Sequence, residues 1–348
     1  MDWRPLDTQS PELFAQRLAS GRPLFSRARL EGYVVQDLEL IEAVRPDVIV
    51  GDFRLSLAAS ARLARTPYIG LSNAYWSPDQ PWRAARPTLE VFRGWPAPLA
   101  DAMFHALSPA ALQWHAKPVH QLLIGHGLPG IGHDLRRAFT EADLTLYADL
   151  PSLFPDAARP PRTDFLGPVG WEPPVAPPEW WNSIPTGAPL AYLTLGSSGD
   201  TDALARVADW LAAMGFVVLA ATAGRTALAM DGRRLFVADY LPGAAAARRA
   251  EIVICNGGSP TVGQALAAGR PVLGLCSNLD QFLNMRAVGA RGAGLGLRAD
   301  QLARPAVEKA VAVLRQPSYR AAAGALEAEA AGLDPASILI QSIARLMA

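Results

Sequence analysis

From residue 189 onward, short unbroken apolar runs alternate with longer stretches whose apolar residues recur at helical spacing. PLAYLTLG (189–196) predicts a strand, and TDALARVADWLAAMG (201–215) a helix with Leu204, Val207, Ala208 and Leu211 on one face. FVVLAAT (216–222) and RLFVADY (234–240) read as strands, followed by a helix over 242–249, the strand EIVICN (251–256), a helix after Gly258 and the strand PVLGLC (271–276). Another helix begins near Leu279, and helices run from about 304 to the end. The strand runs lack in–out alternation, as expected when helices cover both faces of a sheet. Strand–helix alternation of this kind predicts a doubly wound parallel α/β sheet.

The first half is less regular. RPDVIVGD (45–52) and TPYIGLSN (66–73) read as strands flanking the helix LSLAASARLAR (55–65). Helices follow around 109–124 and 131–141, then the strand ADLTLYAD (142–149). Before residue 45 there are helix-like segments, 11–20 and 27–44, and no strand pattern. The usual opening strand–loop–helix unit of a doubly wound domain is therefore expected to be missing, which would leave a sheet edge to be paired or covered by the first 44 residues. GPVGWEPPVAPPEWWNSIPTGAP (167–189) is too rich in proline for helix or ladder and reads as a linker. Trp171, Trp180 and Trp181 are expected to pack it down. The domains so drawn are 1–168, the linker 169–188, 189–332, and a final helical segment 333–348.

Composition narrows the function classes. Lysine plus arginine equals aspartate plus glutamate, 32 against 32, so nothing favours nucleic acid or an acidic surface as a general partner. Two cysteines, Cys255 and Cys276, do not make a disulfide framework, and a reducing cytoplasm is the expected compartment. The five histidines, His105, His115, His120, His126 and His133, share one segment without a cysteine or carboxylate cluster at ligand spacing, so no metal site is expected. No apolar run is long enough to span a membrane.

The candidate chemistry starts at CNGGSPTVGQALAAG (255–269), where a strand stops at a glycine pair and a helix opens. Unpaired amides in a first helical turn can hold an anion. The alternative is a plain tight turn, with Ser259 as N-cap and Pro260 at the first helical position.

The longer run CNGGSPTVGQALAAGRPVLGLCSNLDQFLN (255–284) resembles the donor-sugar signature of UGT-like, family 1 glycosyltransferases of the GT-B fold. TLGSSG (194–199), VADYLPGAAAARRAEIVICN (237–256) and PDVIVGDFRLSLAASARLARTPYIGLSNAYWSP (46–78) are similar to three further segments of that family. The resemblance implies two Rossmann-like domains, an N-terminal one for the acceptor and a C-terminal one for a nucleoside-diphosphate sugar, with UDP the expected nucleotide. It also implies metal-independent, inverting transfer with no cofactor, to a small, apolar or lipid-like acceptor. Location in the cytoplasm, peripheral to a membrane, would suit such an acceptor.

Residue by residue, the resemblance implies that Gly196, Ser197, Ser198, Asn256, Gly257, Gly258, Ser259 and Thr261 surround the diphosphate. Asp280 and Gln281 would grip sugar hydroxyls, although Asn278 with Gln281 also fits a capping box. Tyr240 and Leu241 fall at the nucleobase, with core packing the competing role for Tyr240. Asn73, Tyr75 and Trp76 are the acceptor-side candidates, and Trp76 could equally be core. Asn256 stands where the family carries histidine. An amide donates a hydrogen bond but carries no charge. Asp52 matches the aspartate that orients the family's catalytic histidine, and no residue matches that histidine. Gly125-His126-Gly127-Leu128-Pro129 imitates its motif, but follows a helix instead of a strand. A donor-binding protein that has lost transfer is the competing reading. The last helix is expected to cross back onto the N-terminal domain.

Overall fold

The computed structural model describes residues 3–81, 85–170, 172, 174–196 and 201–348, and among them the chain forms two sheets, each all-parallel, in two units. The first unit comprises residues 1–148, 154–166 and 334–348. Its helices α1 (Pro11–Ala19) and α2 (Arg27–Val44) are capped by Ser10 and Ser26, whose hydroxyls accept from Leu13 and Arg29 amides. Then come β1 (Ile49–Asp52), α3 (Leu57–Leu63), β2 (Tyr68–Ser72), α4 (Ala97–Gly125), α5 (Leu135–Ala138), β3 (Leu144–Tyr147) and β4 (Thr163–Phe165). The strands lie in the order β1-β2-β3-β4. The C-terminal helix (Pro335–Met347) lays Ile338, Leu339, Ile343 and Leu346 on Ile69, Leu144 and Leu146. Among the described residues β1 is an edge strand. The first residues lie over α2 instead of adding a strand: Gln36 Oε1 accepts from the Asp7 amide at 3.1 Å.

Helix α4 is longer than the predicted 109–124, and Pro109 and Pro118 lie inside it. A proline removes the donor for the carbonyl four residues back. At Pro109 that carbonyl is His105's, and the Ser108 hydroxyl donates to it instead, at 3.2 Å. The helix expected over 131–141 shrinks to four residues, α5. β4 had no prediction at all.

The second unit comprises residues 149–153 and 167–333. It holds β5 (Leu190–Thr194), α6 (Thr201–Ala213), β6 (Val217–Ala221), β7 (Leu235–Ala238), α7 (Gly243–Arg249), β8 (Ile252–Cys255), α8 (Ser259–Ala267), β9 (Val272–Cys276), α9 (Leu279–Ala290), β10 (Gly294–Arg298), α10 (Arg304–Leu314) and α11 (Pro317–Ala331). β5, β6, β8 and β9 are buried at every position, which explains their unbroken apolar sequences. Helices α6 and α10 cover one face through Leu204, Val207, Leu211, Val307 and Val311. The strand order is β10-β9-β8-β5-β6-β7. Counted within the unit, this is the doubly wound order 3-2-1-4-5-6, with its switch point between β5 and β8.

The Pro-rich segment is held to this second unit. Trp180 meets Phe236 with ring centroids 5.4 Å apart, and Arg249 lies over the Trp181 ring while donating to its carbonyl at 2.8 Å. Glu172 Oε2 accepts from the Ala244 amide in the first turn of α7 at 2.8 Å. Trp171 lies outside the described residues.

Candidate active site

Ligands of doubly wound sheets bind beyond the strand C-termini at the switch point. Two predicted loops arrive there from adjacent strands. Gly196, after β5, has φ +60°, and a Cβ placed on it would sit 3.6 Å from Asn256 Nδ2, after β8. Ser197 and Ser198 lie outside the described residues.

The loop after β8 is built by three local contacts. Asn256 Oδ1 accepts from the Gly258 amide at 3.0 Å, an Asx turn. The Gly257 amide lies 3.3 Å from Cys255 Sγ, and Gly257 O accepts from buried Asn284 Nδ2 at 3.0 Å. Gly257 has φ +84°, and a Cβ there would meet Met285 Cγ at 2.9 Å and Cys276 Sγ at 3.0 Å. Glycine is therefore required by backbone and by space. Gly258, not Ser259, is the N-cap of α8, with no side-chain cap hydrogen bond. This displaces Ser259 and Pro260 to the first two helical positions and sets Ser259 and Thr261 in the first turn, half-buried. A first turn of this kind offers backbone amides and hydroxyls to an anion.

Cys255 and Cys276 are buried thiols beneath the loop. Burial pushes the Cys255 thiol up to about 12, and that of Cys276 higher still, so both are protonated near neutrality and are not nucleophiles.

At the next strand end, Asn278 caps α9 in a complete capping box with Gln281. Gln281 is 3% exposed, and its Oε1 accepts from the Ser277 amide at 2.8 Å, the Ser277 hydroxyl at 3.1 Å and the Asn278 amide at 3.2 Å. Its carbonyl oxygen is thus committed to holding the turn. Asp280, half-buried, lies one residue earlier in the first turn of α9.

Tyr240 is 53% exposed, which rules out the core role, and its hydroxyl donates to Ala223 O at 3.4 Å. Leu241 is buried.

In the first unit, Asp52 ends β1 with an exposed side chain, and partial desolvation raises its carboxyl above the ordinary value. The next residue, Phe53, has φ +52°, a left-handed conformation uncommon outside glycine. Behind this turn lies a buried network that the sequence did not announce. Asp37, 3% exposed, accepts from Ser56 Oγ at 2.6 Å, Ser60 Oγ at 3.0 Å and Arg54 Nε at 3.0 Å. The signal available was only a pair of serines opening α3.

Four histidines bond elsewhere in this unit: His115 with Gly21 O, His120 with the Gly132 amide, His126 with Glu31 at 2.7 Å and His133 with Gln113. The motif-like His126 is thus a hydrogen-bond partner of Glu31 on α2. Trp76 is buried, its ring centroid 4.5 Å from that of Phe139, which makes it a packing residue and not a lining one. Asn73 Oδ1 accepts from the Tyr75 hydroxyl at 3.1 Å. Among the described residues no group of three His, Cys, Asp or Glu is placed to hold a metal, and no helix is long and apolar enough to cross a membrane.

Comparison with known proteins follows the same lines. Residues 212–344 match the family described as Erythromycin biosynthesis protein CIII-like, C-terminal domain. The chain is 45% identical over 331 residues to a PGL/p-HBAD biosynthesis glycosyltransferase of Mycobacterium tuberculosis (strain ATCC 25177 / H37Ra), covering 95% of this chain and 77% of that one. It is 44% identical over 330 residues to a PGL/p-HBAD biosynthesis rhamnosyltransferase of Mycobacterium bovis (strain BCG / Pasteur 1173P2), covering 94% and 73%. The structure of spinosyn rhamnosyltransferase SpnG complexed with thymidine diphosphate superposes with a TM-score of 0.64 at 24% identity, over 95% of this chain and 80% of that one, and shares the fold. The resemblance to the UGT-like class thus holds at the level of GT-B glycosyltransferases, while the matched family is a different one. The chain belongs to the EryCIII-like family of GT-B glycosyltransferases.

Proposed function

We propose that this chain transfers a hexose from a nucleoside-diphosphate sugar to a hydroxyl of a small apolar or lipid-like acceptor, by one inverting displacement without a metal. The observation that carries this reading is the meeting of Gly196 and Asn256 at the β5/β8 switch point, above the first turn of α8. In the displacement the acceptor oxygen bonds to the anomeric carbon, the bond from that carbon to the diphosphate oxygen breaks, and the acceptor proton leaves to a base. Negative charge grows on the leaving diphosphate. The amides and hydroxyls around Asn256, Gly257, Gly258, Ser259 and Thr261 are the groups that would stabilise it. Asp280 is assigned to a sugar hydroxyl, and Gln281 to holding the turn that presents Asp280. Tyr240 is assigned to the face of the nucleobase.

Asp52 is assigned to the acceptor proton. Desolvation already raises its carboxyl, the direction that suits a proton acceptor. Thymidine and uridine diphosphates are the nucleotides to compare, and rhamnose, the sugar in the names of two similar proteins, is the first donor to try.

Titration calorimetry with both diphosphates tests the donor site. Asn256→Asp should weaken binding by about tenfold or more by opposing two negative charges, and more than Asn256→Ala does. Equal affinities for all three proteins would remove Asn256 from the site. Asp52→Asn should abolish transfer and leave nucleotide affinity unchanged. A second reading, donor binding without transfer, draws on the absence of any histidine hydrogen-bonded to Asp52 among the described residues. Nucleotide binding with neither transfer nor donor hydrolysis would favour it.

A further inference from the structure

Helix α4 has two unlike halves. Its C-terminal half buries Ala116, Val119, Leu122 and Leu123 against Leu30, Tyr33 and Val34 of α2. From Ala97 to His115 only Ala100 is buried. Leu99, Met103, Leu107 and Trp114 are 52, 37, 55 and 49% exposed. At 3.6 residues per turn, positions 99, 103, 107, 110 and 114 share about a quarter of the helix circumference. The outward face of these four turns is therefore an apolar stripe, where a helix facing water would carry charge.

Charge is scarce around it. From Gly94 to Ala116 the only carboxylate is Asp101, held by Arg86 Nε at 2.7 Å, and there is no lysine or arginine. The stripe has a similar boundary at each end. Arg93 and the exposed Trp95 precede it; Trp114 and the exposed Lys117 close it. Tryptophan beside a cation at each end of an apolar stretch is the pattern of a segment at headgroup level. With Glu90, the exposed boundary charges are one carboxylate and two cations. That positive rim repels a second copy of itself and complements an anionic lipid surface.

We propose that this face of α4 docks on a lipid bilayer carrying anionic headgroups. The helix lies in the interface with Leu99, Met103 and Leu107 toward the acyl chains. Arg93 and Lys117 meet headgroup phosphates. The proposal is independent of the donor-site reading, since it involves no residue of the second unit.

The test is co-sedimentation of the full chain with phosphatidylcholine vesicles, with and without phosphatidylglycerol. Binding is expected with phosphatidylglycerol and is expected to weaken as salt rises. The triple variant L99Q/M103Q/L107Q should lower the partition coefficient by about tenfold or more. Because these side chains are exposed, its melting temperature and its affinity for thymidine diphosphate should match those of the parent. The pair R93E/K117E should remove the preference for phosphatidylglycerol. No partition into either vesicle overturns the proposal, as does partition that the triple variant leaves unchanged. A dimer in sedimentation equilibrium that the triple variant dissolves, without vesicle binding, would assign the stripe to a second copy and overturn it equally.

Discussion

Gly257 shows how much of the site is decided by single residues. Its φ of +84° and the atoms 2.9 and 3.0 Å from a would-be Cβ exclude any side chain. Gly257→Ala should lose about 2 to 3 kcal/mol in chemical denaturation, from left-handed strain and overpacking together. Gly258 has φ −70°, and its would-be Cβ meets only Asn256 atoms, the nearest at 3.1 Å. Gly258→Ala should therefore stay within about 1 kcal/mol of the parent. Equal losses would mean that the loop relaxes freely and does not hold its shape for a ligand. Such glycine demands are local, so they were legible as a loop motif in the sequence. The burial of Leu241 was not legible, and Trp76 and Gln281 were each left between two roles, because burial depends on side chains brought by other elements.

Elements were readable wherever one local signal decided them. Asn278 and Gln281 announced the start of α9 by their spacing, and the capping box is complete. Asn278→Ala should cost about 1 kcal/mol and fray the turn that carries Asp280, detected as faster amide exchange at Asp280 and Gln281. β4, three residues long, and β10, glycine-rich as GLGLR, gave no strand signal because their partners β3 and β9 define them. Between β6 and β7, Asp231 plays a structural part that no motif flagged: its Oδ1 accepts from the amides of Arg233, Arg234 and Leu235, each at 2.8 Å. Those bonds, led by the Arg233 amide, hold its carboxyl below the ordinary 3.8. A lowered value in the folded state means stability present above 3.8 and lost as pH falls through the lower folded value. Asp231→Asn should therefore melt earlier than the parent at neutral pH, with the gap closing in acid. A gap that is constant with pH would mean the bonds do not depend on the charge.

At the scale of the whole chain, sequence order and spatial grouping part company. Residues 149–153 go with the second unit, 154–166 return to the first, and the last fifteen residues return again. A linear reading draws boundaries at composition shifts, and the proline cluster is such a shift. It cannot show that Ser152 is held by the carboxylate of Glu329, or which strands the last helix, expected on the N-terminal domain, would cover; those are β2 and β3. That helix carries Ile338, Leu339, Ile343 and Leu346, all partly buried on Ile69, Leu144 and Leu146. At about 1 kcal/mol for each half-buried side chain, it stabilises the first unit by on the order of 4 kcal/mol, a large share of the roughly 5–15 kcal/mol of a typical domain. Deletion of residues 334–348 should therefore split thermal unfolding into two transitions, the earlier one assigned to the first unit by proteolysis within β1 to β3. Nucleotide binding, which the proposed donor site assigns to the second unit, should survive below the second transition. A single transition shifted as a block would mean that the two units unfold as one, and that the helix stabilises both.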